Sequence, residues 1–110
     1  MVATAVEIEE ILRSLVKQLE PDVRVLKLIL FGSYAAAAPS DWSDIDVAVV
    51  SPTFSSVPMW RRQQILAKRL RDSDVRLSPI GYTPEELDKP PLFLKEIVRT
   101  GKVVYEAPAQ

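Results

Sequence analysis

Asp44 and Asp46 open the run "DIDVAVV" (residues 44–50), which is otherwise apolar. Two carboxylates beside a stretch that reads as core are costly unless something compensates them. In an extended strand, residues i and i+2 share a face, so the two side chains stand together with Cα atoms about 6.6–6.8 Å apart. Carboxylates so placed can both reach one Mg²⁺, at about 2.0–2.1 Å, or hold a pair of ions. Ile45, Val47 and Val49 fall on the opposite face, and Ala48 and Val50 continue the acid-bearing one, which puts the acids at the strand's start. A divalent cation converts the repulsion between the two charges into a binding site. The competing reading is plain: Asp44 caps a turn and Asp46 points to solvent.

A second chemical feature precedes the acids. The apolar, partly β-branched segment "RVLKLILF" (24–31) ends at Gly32-Ser33. Gly32 permits a sharp turn and close approach of a ligand to the backbone. Ser33 opens an Ala-rich segment (33–38), expected as a short helix broken by Pro39, whose hydroxyl and N–H groups could hold a phosphate. Alternatively, Gly-Ser is an ordinary turn dipeptide and Ser33 only a cap. The chain has no Cys and no His, which removes disulfides, thiolate zinc sites, thiol nucleophiles and imidazole acid–base chemistry. Catalysis is left to carboxylates, hydroxyls, Lys and Arg, backbone groups and bound metal.

These residues need a scaffold, and the remaining pattern supplies one. Residues 4–20 carry an apolar stripe at Ile8, Ile11, Leu12, Leu15, Val16 and Leu19, with a Thr4–Glu7 capping box and Pro21 as the stop. "SDWSD" (40–44) is a loop and "IDVAVV" (45–50) the second strand, followed by the connection "PTFSSVP". A helix is expected over 58–72, with Met59, Ile65, Leu66 and Leu70 as its apolar contribution. Residues 74–82 read as a third strand, with Pro79 marking an edge or bulge. Thr83-Pro84 starts a short helix, "LFLKEIVRT" a last one capped by Gly101, and "KVVYE" is a candidate terminal strand. The class is α/β or α+β: a small mixed sheet of three to four strands flanked by helices, forming one domain over residues 1–110.

Composition bounds the rest. With 110 residues, 47% hydrophobic and 26% charged, the chain can build one core and is not expected to be disordered. A net charge of −1 argues against nonspecific nucleic-acid binding, so no stable DNA binding is expected. No apolar run approaches a membrane span and no signal pattern opens the chain, so a cytoplasmic location is expected. Arg61, Arg62, Lys68, Arg69 and Arg71 read as a solvated helix face, or as a docking surface for an acidic partner or RNA. Trp42 and Trp60 are either packing residues or candidates for nucleotide stacking or an interface.

The combination of Gly32-Ser33, ten intervening residues, and Asp44-x-Asp46 inside a following strand resembles the motif of nucleotidyltransferases related to DNA polymerase β, most of all the minimal, antitoxin-type members. The resemblance implies two Mg²⁺ ions, a nucleoside triphosphate such as ATP, and attack of an acceptor hydroxyl on the α-phosphate. Gly32 and Ser33 would hold phosphate, and Asp44 and Asp46 the metals. The family usually adds a third carboxylate on the neighbouring strand, but here the hydrophobic–acid–hydrophobic frame falls on Val75-Arg76-Leu77. Asp74, one pleat before Arg76, is the candidate substitute as catalytic and metal residue; otherwise it caps the strand or pairs with Arg71. Relatives also often read Tyr-Ala-Arg-Gly after Gly-Ser, where this chain has Ala36 and Ala37. The resemblance further implies transfer of AMP to a tyrosine of a HEPN-type toxin partner. With 110 residues there is room for the catalytic sheet but not for a separate acceptor-binding domain, so substrate selection is expected from a partner or from self-association. The alternative is a degenerate binding module that regulates a partner without turnover.

Overall fold

The structure, a computed structural model, describes residues 2–36, 39 and 43–108. Its first element is helix α1 (Ala5–Leu19), and local chemistry sets where it starts. The Thr4 hydroxyl accepts the Glu7 N–H while the Glu7 carboxylate accepts the Thr4 N–H, both at 3.1 Å. The reciprocal pair satisfies two N–H groups that the first turn cannot. Leu12, Leu15 and Leu19 are the buried edge of the expected stripe.

Among the described residues four strands follow: β1 (Lys27–Phe31), β2 (Ile45–Val50), β3 (Leu77–Tyr82) and β4 (Lys102–Glu106). They form one sheet in the order β3-β2-β1-β4. β1 runs antiparallel to both β2 and β4, whereas β2 and β3 are parallel. A parallel pair requires a crossover, and α2 (Met59–Arg69) supplies it after a 3-10 turn at Pro52–Phe54. Between β3 and β4 lie α3 (Pro84–Asp88), opened by a Thr83–Glu86 capping box, and α4 (Leu92–Thr100), closed by Gly101. The expected mixed sheet of up to four strands between helices is therefore the observed fold.

The two faces of the sheet pack separate layers. Leu28, Val47 and Val49 meet Leu12, Leu15 and Leu19 of α1 and Leu66 of α2. Ile29, Ala48, Val50 and Tyr82 meet Leu94 and Ile97 of α4. The period-two alternation of "IDVAVV" thus feeds both layers and places Asp46 on the α4 side. No helix among the described residues is long and apolar enough to cross a membrane.

Several boundaries differ from expectation, each for a local reason. Residues 32–36 form a turn, closed by Ala36 N–H to Gly32 C=O at 3.1 Å; Ala37 and Ala38 of the expected short helix lie outside the described residues. β3 begins at Leu77, three residues later than expected, because the chain turns at 75–76 and the Leu77 N–H closes back on Asp74 C=O at 3.0 Å. On α2, Met59 is exposed and Arg62 buried, the reverse of their expected roles. Burial of the guanidinium is compensated by three acceptors: Val57 C=O at 2.7 Å, Gly81 C=O at 3.2 Å and Glu86 Oε1 at 2.8 Å. Arg62 thereby ties α2 to β3 and α3, and leaves the proposed basic face without one of its five members.

Candidate active site

The site forms where β1 ends beside the start of β2. Phe31 is in register with Asp46, so Gly32 leaves the strand next to the Asp46 side chain. Gly32 has φ +74°, in the left-handed region that glycine enters without a Cβ clash. A Cβ at this position would lie well inside 3.0 Å of Asp46 Oδ2 and 3.2 Å from its Cγ. The space a side chain would fill is already taken by the carboxylate. Close approach and backbone conformation together explain why glycine stands here.

Asp44 lies just before β2 and is exposed, while Asp46 is partly buried on the strand. Burial pushes the Asp46 carboxyl above the ordinary carboxylate range, and the like charge of Asp44 pushes it further. A carboxylate so destabilised gains most from a nearby cation, and the donor set of two carboxylates suits a hard divalent ion such as Mg²⁺. Asp44 and Asp46 are therefore the residues that fit the metal. Ser33, half-buried, follows Gly32 into the turn. The next residue, Tyr34, anchors that turn, its buried hydroxyl accepting the Ala3 N–H at 3.0 Å.

Asp74 is placed differently from the strand position expected for it. It lies on the approach to β3, where its Oδ1 accepts both the backbone N–H and Nε of Arg76 at 2.9 Å, and its Oδ2 accepts Nη2 at 2.8 Å. These bonds, from a guanidinium whose own pKa is raised by them, hold the Asp74 carboxyl down to about 2. The expected pairing with Arg71 is replaced by this one. Among the described residues no three acidic side chains are grouped to hold a metal ion.

The residue in register with Asp46 on β3 is Ser78, and Asp46 and Ser78 share a sheet face. The sequence reading passed over Ser78. Counting back in steps of two from Tyr82 through Ile80, both on the α4 side, would have found it. Trp60 rides on α2, in the layer away from Asp46, and Trp42 lies outside the described residues.

An aspartate pair, a glycine bend closed against one of them, and a four-stranded mixed sheet between helices define a class, and the chain's sequence falls in it. The family described as "Polymerase beta, Nucleotidyltransferase" matches residues 9–110, and the chain belongs to that family. Solved structures agree on the fold. A Sulfolobus solfataricus protein provisionally assigned as a nucleotidyltransferase is 17% identical, with TM-score 0.63 over 90% of this chain and 77% of that one. A toxin–antitoxin structure with AMP-PNP is 27% identical, with TM-score 0.54 over 90% of this chain and 73% of that one. A mutant of the toxin–antitoxin MntA–HpeT, with two aspartates changed to glutamate, is 24% identical, with TM-score 0.51 over the same shares, 90% and 73%. No curated protein sequence matches the chain.

Proposed function

We propose that this chain is a Mg²⁺-dependent nucleotidyltransferase that moves a nucleoside monophosphate, AMP from ATP, to a hydroxyl of a partner protein, in the manner of an antitoxin acting on a tyrosine of a HEPN-type toxin. The observation that carries the reading is the Asp46 carboxylate lying against the Cβ-less side of Gly32, with Asp44 adding like charge beside it. Bound Mg²⁺ would neutralise charge on the triphosphate and on the attacking and leaving oxygens. Asp44 and Asp46 would hold it. Gly32, exposed at the bend on the side away from Asp46, would let phosphate approach the backbone, and Ser33 would offer its hydroxyl and N–H there. Tyr34 fixes the bend to the start of α1. The protein-partner part of the reading draws on the likeness to the toxin–antitoxin structure with AMP-PNP.

A second reading has its own support on β3. Asp74 is engaged by Arg76, and the in-register neighbour of Asp46 is Ser78, so neither places a third carboxylate beside the pair. A protein built this way suits nucleotide binding and partner regulation without turnover. One experiment separates the two. The protein is incubated with Mg²⁺, ATP labelled at the α-phosphate and a tyrosine-bearing candidate toxin. Label on the partner with release of pyrophosphate supports the transferase. Saturable nucleotide binding with no label transfer supports the regulatory module, and absence of both removes the two readings together.

A further inference from the structure

We propose that Phe93, braced by Phe31, is the surface on which the base of the bound nucleotide stacks. This rests on the nucleotide site proposed at Gly32, Ser33, Asp44 and Asp46, and adds to it a residue that contacts the base. Phe31 is the residue of β1 opposite Asp46, and the two share the α4 side of the sheet. Its ring meets that of Phe93, in the first turn of α4, edge to face, with centroids 6.0 Å apart and planes at 86°. Such a contact fixes the orientation of the outer ring. Phe93 is nonetheless 57% exposed, although burial of an aromatic ring is favourable. One strand pairing and one ring spacing therefore separate the carboxylate from an oriented, open aromatic surface.

The other described aromatic residues do not offer this. Tyr82 is on the same side of the sheet but 3% exposed, and Tyr34 and Phe54 are buried. Trp60 and Tyr105 belong to the layer of α1 and α2. Every nucleobase has a π-face, and removing an aromatic side chain on which a base stacks weakens binding roughly five- to 150-fold. A base held here would lie beside the triphosphate held at the Gly32 bend.

The test compares two probes in the presence of Mg²⁺, ATP and inorganic tripolyphosphate, by titration calorimetry on the full chain. Phe93→Ala should weaken ATP binding about tenfold and leave tripolyphosphate binding within about twofold. Phe93→Leu, which keeps apolar area but not the ring, should behave like Phe93→Ala, whereas Phe93→Trp should bind ATP at least as tightly as the native chain. Equal ATP affinity for Phe93→Ala and the native chain overturns the inference, as does equal weakening of both probes, which would mark a general disturbance of the site. Failure of the native chain to bind either probe removes the phosphate site itself, and is thereby distinguishable from failure of the stacking residue alone.

Discussion

Gly32→Ala is the perturbation whose outcome can be worked out most fully. At φ +74° an alanine enters the left-handed region, at a cost of about 1–2 kcal/mol. The new Cβ lies inside 3.0 Å of Asp46 Oδ2, so the carboxylate must leave its rotamer, adding about 0.5–1.5 kcal/mol. Alanine also restricts the unfolded chain, which offsets about 0.4–1 kcal/mol. The net loss is about 0.5–3 kcal/mol, with Tm falling by about 4–8 °C for each kcal/mol in a domain of this size. The diagnostic part is the coupling. In an Asp46→Ala background the clash has no partner, so Gly32→Ala should cost about 1 kcal/mol less there, measured by urea unfolding of the four proteins of the cycle. In the Asp46 background, Mg²⁺-dependent ATP affinity should also fall at least about tenfold, since the displaced carboxylate is a proposed ligand. Equal costs of Gly32→Ala in the two backgrounds would refute the packing of Gly32 against Asp46.

The remaining predictions address other groups. Asp46→Asn should raise Tm in metal-free buffer at pH 7, because burial and Asp44 both disfavour the ionised side chain; a lowered Tm in a thermal melt with chelator would contradict this. Asp74, held down to about 2, contributes stability that is present above the unfolded carboxylate range and lost as pH falls toward 2. The Tm difference between the native chain and Asp74→Asn should therefore be steady above about pH 5 and shrink below about pH 4, and a pH-independent difference would argue against the Arg76 pair. Arg62→Met should cost about 2 kcal/mol or more in urea unfolding, since it strands Glu86 and two carbonyls, and a loss under about 0.5 kcal/mol would show that these acceptors find water instead.

What the sequence made legible was mostly local. Thr4 and Glu7 announce the start of α1, Thr83 and Pro84 that of α3, and Gly101 the end of α4, because each acts on backbone a few residues away. The alternation of "IDVAVV" likewise assigned Asp46 to one face and Val47 and Val49 to the other. Features that depend on distant partners were hidden. Arg62 reads as a surface charge until β3 and α3 bring Gly81 and Glu86 to it. Asp74 seemed to continue a strand because an alternating pattern runs unbroken across the turn at 75–76. Ser78 becomes the neighbour of Asp46 only once the parallel register is known, and Phe93 gains its orienting partner only when α4 packs near the end of β1.

The central claim, that Asp44 and Asp46 form a cation-dependent nucleotide site at the Gly32 bend, is tested most directly by calorimetric titration of ATP in the presence and absence of Mg²⁺. The native chain should bind ATP only with Mg²⁺, and both Asp44→Ala and Asp46→Ala should abolish that binding while remaining folded. Undiminished Mg²⁺-dependent ATP affinity in both variants would contradict the claim.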